Sequence, residues 1–184
     1  MKRFTLAFVC LALASLAFSQ AVQQEGLQIG PNMVEITARH ADGTVFYHYV
    51  SHNLKTLGGI DLIASQIANT SSPAATSNYI ALSTDSTAPS QNDCGAGSSS
   101  CTLTSEITTN GLGRQKASYS HTNGQATLAL SYTFTDTTGA TSNIQKAAVF
   151  NASTSGTMTF ENTFTPVSLN VGDQLQLTWT ITLS

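Results

Sequence analysis

The side chains able to do chemistry are few in this 184-residue chain, and their spacing narrows what each can do. Cys94 and Cys101 are separated by Gly-Ala-Gly-Ser-Ser-Ser, a linker supple enough to close a small ring. In an oxidising compartment such a pair reads as a disulfide. Zinc is the sharper alternative, but neither a histidine nor a further cysteine stands nearby to complete four ligands. The chain-entropy model gives so short a loop about 2–3 kcal/mol at most, so the bridge staples a surface loop rather than the core. His48 and His52, four apart in extended chain, could face one way and share a metal, yet no third ligand is identifiable. The plainer reading is two half-exposed strand residues beside Tyr47 and Tyr49. His121 precedes a turn and reads as solvent-facing.

Asp61, Glu106, Asp136, Glu161 and Asp173 stand singly along the chain, which offers no carboxylate pair for glycoside hydrolysis. No Gly-x-Ser-x-Gly elbow, phosphate-binding loop, paired zinc motif or calcium loop occurs, and nothing singles out one of the 22 serines as a nucleophile. The reading is a protein that is not an enzyme, with no catalytic residue, no cofactor and no metal site assigned.

Composition points the same way. Charged residues make up 9% of the chain, against about 25% in an average globular protein. Hydroxyls fill the gap, with 22 Ser and 27 Thr, a mixture that suits strands better than surface helices. Seven basic residues against ten acidic ones provide no phosphate-neutralising surface, so nucleic acid is excluded as a partner. Low charge with 41% hydrophobic residues also excludes ordinary disorder.

Residues 1–19 read as a secretory signal peptide: Lys2 and Arg3, an apolar run from Phe4 to Phe18, then Ala17-Phe18-Ser19 as a cleavage site. The run is short for a membrane span, and Cys10 lacks the small residues that precede a lipoprotein cysteine. Residues 20–184 then form a single domain. Its five basic residues (Arg39, Lys55, Arg114, Lys116, Lys146) and ten acidic ones leave a net charge of −5. The expected location is secreted or extracellular, with the periplasm or cell surface as alternatives and no membrane span after cleavage.

The remaining elements are mostly strands. Val34 to His40 and Thr44 to Val50 flank Asp42-Gly43, a strong hairpin signal. Leu57 to Ala68 is the one credible helix, because Leu57, Ile60, Ile63, Ala64 and Ile67 form one apolar stripe expected to pack over one opening or face of the sheet and seal apolar side chains there. Asn69 to Ser77 and Asp85 to Ser100 read as loops around a short strand at Tyr79 to Leu82. Leu112 to Ser120 reads as one strand, with Arg114 and Lys116 on one face and Arg114 able to pair with Glu106. Thr127 to Thr135, Thr157 to Phe164 and Gln174 to Leu183 alternate apolar and polar residues, as half-buried antiparallel strands do. The last is the cleanest. Leu175, Leu177, Trp179, Ile181 and Leu183 share one face, which must be sheltered in its own sheet or donated to a neighbouring subunit as an assembly strand. Turn signals at Asn123-Gly124, Gly139, Ser155-Gly156 and Gly172-Asp173 set the spacing. The pattern predicts an all-β antiparallel sandwich, jelly-roll or Ig-like, with about eight or nine strands and one short helix; a closed barrel is the alternative. Two sequons, at Asn69 and Asn151, matter only if the source glycosylates.

Read in order, Ser51-His52-Asn53-Leu54, Gly58, Tyr79-Ile80-Ala81-Leu82-Ser83-Thr84 and Thr87-Ala88-Pro89 resemble tail-associated structural proteins of tailed bacteriophages. The likeness continues through Leu103 to Ile107, Gly113-Arg114, Ala148 to Asn151, Gly156-Thr157-Met158 and Val171-Gly172-Asp173 into the closing strand, covering roughly residues 34–184. Ser83 and Asp85 stand where those proteins carry glycine or another small residue. The resemblance implies a β-rich virion or fibre component with no catalytic residues to carry over, and the leader suggests a secreted relative.

Two functional classes follow. One is a secreted structural or interaction protein of a fibre, surface layer or phage-tail-like assembly, associating with itself or another surface subunit. The other is an adhesin-like module binding carbohydrate or a surface, with Tyr47, Tyr49, Tyr79 and Tyr119 stacking on a glycan.

Overall fold

The structure, a computed structural model, describes residues 29–68 and 75–183. The leader at 1–19 and the sequon at Asn69 lie outside the described residues. The elements in chain order are β1 (Ile29–Arg39), β2 (Val45–His52), β3 (Leu54–Lys55), α1 (Leu57–Ala68), β4 (Tyr79–Ser83), a 3-10 turn (Gln91–Cys94), β5 (Gln115–Lys116), β6 (Ser118–His121), β7 (Thr127–Thr135), β8 (Thr141–Phe150), β9 (Met158–Leu169) and β10 (Gln174–Leu183). They form two five-stranded sheets with orders β2-β1-β10-β7-β6 and β3-β9-β8-β4-β5, called A and B here. The pairings within both are antiparallel. The arrangement is an all-β sandwich.

Period-two alternation builds sheet A. In β10, Leu175, Leu177 and Trp179 are fully buried while Gln174 and Gln176 are exposed. The strand is paired with β1 on one side and β7 on the other. Opposite lie Ile80 and Leu82 of β4, Ala147 and Val149 of β8, and Phe160 of β9, whose ring stands 6.2 Å from that of Trp179. The Asp42-Gly43 hairpin forms: Gly43 takes φ +88°, and Asp42 Oδ1 accepts the Thr44 N–H at 2.8 Å.

Two expectations need correction. The strand read over Leu112 to Ser120 breaks at Ala117, whose N–H turns away to Asn78 O at 2.7 Å. There the chain crosses from sheet B, where β5 pairs with β4, to sheet A, where β6 pairs with β7. Such a crossing closes a corner of the sandwich. Ten strands are present, two of which, β3 and β5, are only two residues long, in keeping with the expected eight or nine. The helix, finally, does not lay its isoleucine stripe on the core. Ile63 packs against the core, but Ile60 and Ile67 are 42% and 64% exposed. The helix is anchored instead through its first turn. Thr56 caps it, accepting the Gly59 N–H at 3.0 Å while its hydroxyl donates to Met158 O. Gly59 lies so close to β9 that a Cβ there would stand 2.7 Å from the Thr159 Cα.

Candidate functional site

The central part of sheet B, from Ile80 to Ser83, Lys146 to Phe150 and Met158 to Asn162, is buried on both faces, and its outer face carries the charged groups. Residues of the loop between β4 and β5 fold back over it, so that Leu103, Cys94 and Cys101 pack on Ala81, Ala148, Phe150 and Met158 as a second apolar cluster. The loop is held there by its own staple: Cys94 and Cys101 are disulfide-bonded, with Cα atoms 5.4 Å apart. Ser90 and Asp93 cap the 3-10 turn reciprocally, and Asp61 of α1 accepts the Gly97 N–H at 2.6 Å. A Ser- and Gly-rich segment thereby becomes a third layer.

Beneath this layer lies Lys146 of β8, its side chain 3% exposed. Nζ is 2.6 Å from Asp85 Oδ2 and 3.1 Å from Glu161 Oε1 on β9. Asp85 Oδ1 accepts the Thr87 N–H at 3.2 Å and the Thr87 hydroxyl at 2.9 Å. The hydrogen bond from Lys146 holds the Asp85 carboxyl below the ordinary carboxylate range. Glu161 behaves oppositely: burial first, and then the neighbouring Asp93 carboxyl, push it up to about 7. Burial works to lower Lys146, but its hydrogen bonds to Asp85 and Glu161 leave it above its ordinary value. Of the carboxylates that stand singly in sequence, Glu161 is thus brought together in space with Asp85 and Asp93. The one signal for this was a lone lysine inside the uncharged stretch from Asn143 to Asn151.

A second buried ion pair covers the neighbouring part of the same face. Arg114 donates Nε–H to Glu106 Oε1 at 2.9 Å and Nη2–H to Oε2 at 2.7 Å, the fork geometry that only arginine supplies. Its Nη1 donates to the carbonyls of Ala152 and Ser155. The pairing of Arg114 with Glu106 expected from sequence is present.

The remaining sequence candidates are dispersed. His48 Nε2 lies 3.0 Å from Glu35 Oε1 on the neighbouring strand, and His52 is exposed. Among the described residues no group of three or more His, Cys, Asp or Glu is placed to hold a metal ion. Asp136 serves the β7–β8 turn by accepting the Thr138, Gly139 and Thr141 amides. Asp173 accepts the Asn170 N–H at 2.9 Å. Asn151 spends its side-chain oxygen on the Thr157 N–H.

The four tyrosines do not form a common platform. Tyr47 and Tyr49 lean on the core, where Tyr47 donates its hydroxyl to Thr165 O at 2.7 Å and burial pushes its pKa up to about 12. Tyr79 packs against the cluster beneath the loop. Tyr119 alone is exposed, at a cleft of about 600 Å³ between α1 and the end of sheet A. Its walls include Leu62, Ile63, Ile67, Leu128 and Ile181, so the C-terminal part of the helix stripe faces an apolar opening.

Among the described residues no helix is long and apolar enough to cross a membrane. Over residues 57–181, from α1 to β10, the chain matches the family model described as Podophage GP4 fiber I protein gp80. Neither a curated protein nor a solved structure matches it.

Proposed function

This chain belongs to the family of Podophage GP4 fiber I protein gp80, and from that membership we propose that it is a non-catalytic structural subunit of an extracellular fibre or phage-tail-like assembly. The observation that carries the reading is the extent of the match, which takes in β4 to β10 and therefore strands of both sheets. The edge strand β2 supports it, since Val45, Phe46 and Val50 are exposed there, where a neighbouring subunit would cover them. In this reading residues 1–19 direct export, residues 20–184 are the working domain, and the partner is a second copy or another fibre subunit. Sedimentation across a concentration series, with electron micrographs of the same samples, tests it. Discrete oligomers or filaments are the expected result, and a monomer throughout overturns it.

The row Leu175, Leu177, Trp179, Ile181 and Leu183 enters the same proposal as the strand through which a subunit is completed, by itself or by its neighbour. A chain ending after Gly172 should fail to fold alone and recover when the missing segment is added as a peptide. A truncated chain that is folded and monomeric without the peptide removes this role.

The exposure of Tyr119 beside an apolar cleft favours a second reading, an adhesin-like module for carbohydrate or a surface. Glycan-array binding that disappears in Tyr119→Ala supports that reading, and an array without signal dismisses it.

A further inference from the structure

We propose that Lys146 and Asp85 become joined by an intramolecular isopeptide bond, formed within the folded protein, with Glu161 carrying the protons. The site brings into contact the three groups that an amide-forming reaction uses. The nucleophile Nζ touches Asp85 Oδ2 at 2.6 Å, so the carbon it would attack is bonded to the atom it already contacts. Glu161 Oε1 touches the same Nζ at 3.1 Å. The two Thr87 donors on Asp85 Oδ1 are placed to stabilise the negative charge that develops there as the carbon becomes tetrahedral. All three side chains are withdrawn from water, Lys146 and Glu161 almost wholly.

The balance closes without a co-reactant. Lys146 begins as an ammonium and Asp85 as a carboxylate. Glu161 accepts a proton from Nζ and frees the lone pair, which attacks Cγ of Asp85. The Nζ–Cγ bond forms, the Cγ–Oδ2 bond breaks, and Oδ2 leaves as water with two protons that came from Nζ. Glu161 passes both on and ends as it began. Nothing is oxidised or reduced, and an ion pair becomes a neutral amide. Burial favours that exchange, because even paired charges are costly to hold away from water. A base has to take a proton from an ammonium that its partners hold, and Glu161, pushed up to about 7, holds such a proton better than an ordinary carboxylate does.

The position gives the bond a structural purpose. Ser83, at the end of β4, pairs with Lys146 in the sheet, and Asp85 follows two residues later. The amide would weld the exit of β4, and the loop that leaves it, to β8. This inference does not depend on the fibre reading, since the bond would form in a monomer.

The test is the intact mass of the purified chain, reduced and denatured, followed by peptide sequencing in the mass spectrometer. We expect the wild-type protein to be lighter than its sequence by one water, with the peptides holding Lys146 and Asp85 recovered as one branched species. Lys146→Arg, Asp85→Ala and Glu161→Gln should each restore the full sequence mass. A wild-type chain at full mass overturns the proposal whatever the variants do. So does a water lost within a single peptide, as in a succinimide, or a cross-link between other residues.

Discussion

The guanidinium carbon of Arg114 sits 3.6 Å above the ring centre of Phe150, pressed between that aromatic face and the carboxylate of Glu106. Phe150 is fully buried at the end of β8, so the cation closes the apolar cluster like a lid whose charge is already answered. Lysine would keep the charge but lose the fork and the stacking. Arg114→Lys should lower stability by about 2 kcal/mol in urea unfolding. A midpoint equal to wild type would show that the pair and the stacking contribute nothing.

The first turn of α1 makes an opposite prediction from helix propensity. Alanine is preferred to glycine inside a helix by about 1 kcal/mol, so propensity alone expects Gly59→Ala to stabilise. The added methyl would meet the Thr159 backbone, which cannot swing aside as a side chain can. Gly59→Ala should therefore destabilise by about 1–3 kcal/mol. Gly95→Ala, where a Cβ meets nothing within 4 Å and φ is −65°, should be close to neutral. Thermal melts of the two variants side by side decide the matter.

Two isoleucines four residues apart should respond differently to the same change. Ile63→Asp places a charge against the core cluster and should cost about 3 kcal/mol. Ile67→Asp, at a position 64% exposed, should stay within about 0.5 kcal/mol. Equal losses at both would mean that the cleft beside α1 is closed in solution.

Asp173 sets part of the acid limit. The Asn170 N–H, then His40 Nδ1 at 3.2 Å, hold its carboxyl below the ordinary range. A depressed carboxyl contributes stability at pH values above its unfolded pKa, and that contribution drains away as pH falls through the folded one. Asp173→Asn should be less stable near neutrality and lose less between about pH 5 and pH 2 than wild type. Urea midpoints across that range check both the offset and the slope; parallel curves would remove Asp173 from the acid limb.

How far the sequence could be read depended on how many faces of a strand are wet. In β10 one face meets solvent, so Gln and Thr interleave with Leu, Trp and Ile and the strand announces itself. In β8 both faces are covered, by sheet A within and by the stapled loop without. The run from Ala147 to Phe150 is buried throughout, and period two vanishes. The same covering explains why the Lys146 site was illegible: Asp85 lies 61 residues from its partner, and only the folded loop brings it there. Local features fared better. Cys94 and Cys101 are seven residues apart and Arg114 and Glu106 eight, distances over which spacing is informative. The helix could be placed by its stripe, but its docking rests on Thr56 and Gly59, which carry no apolar signal.

The pairing of Ile29 with Leu183 has a mechanical consequence. Tension drawn through the backbone at those two positions acts on adjacent residues at one end of the β1–β10 ladder, not along opposite ends of a strand pair. The β1–β10 ladder would then peel, its rungs breaking in succession under a small force instead of shearing together under a large one. Sheet B lies off that line of pull. A stretched subunit would therefore lengthen first by unzipping β1 from β10, while the disulfide-backed sheet kept its shape and waited as a template for re-closure.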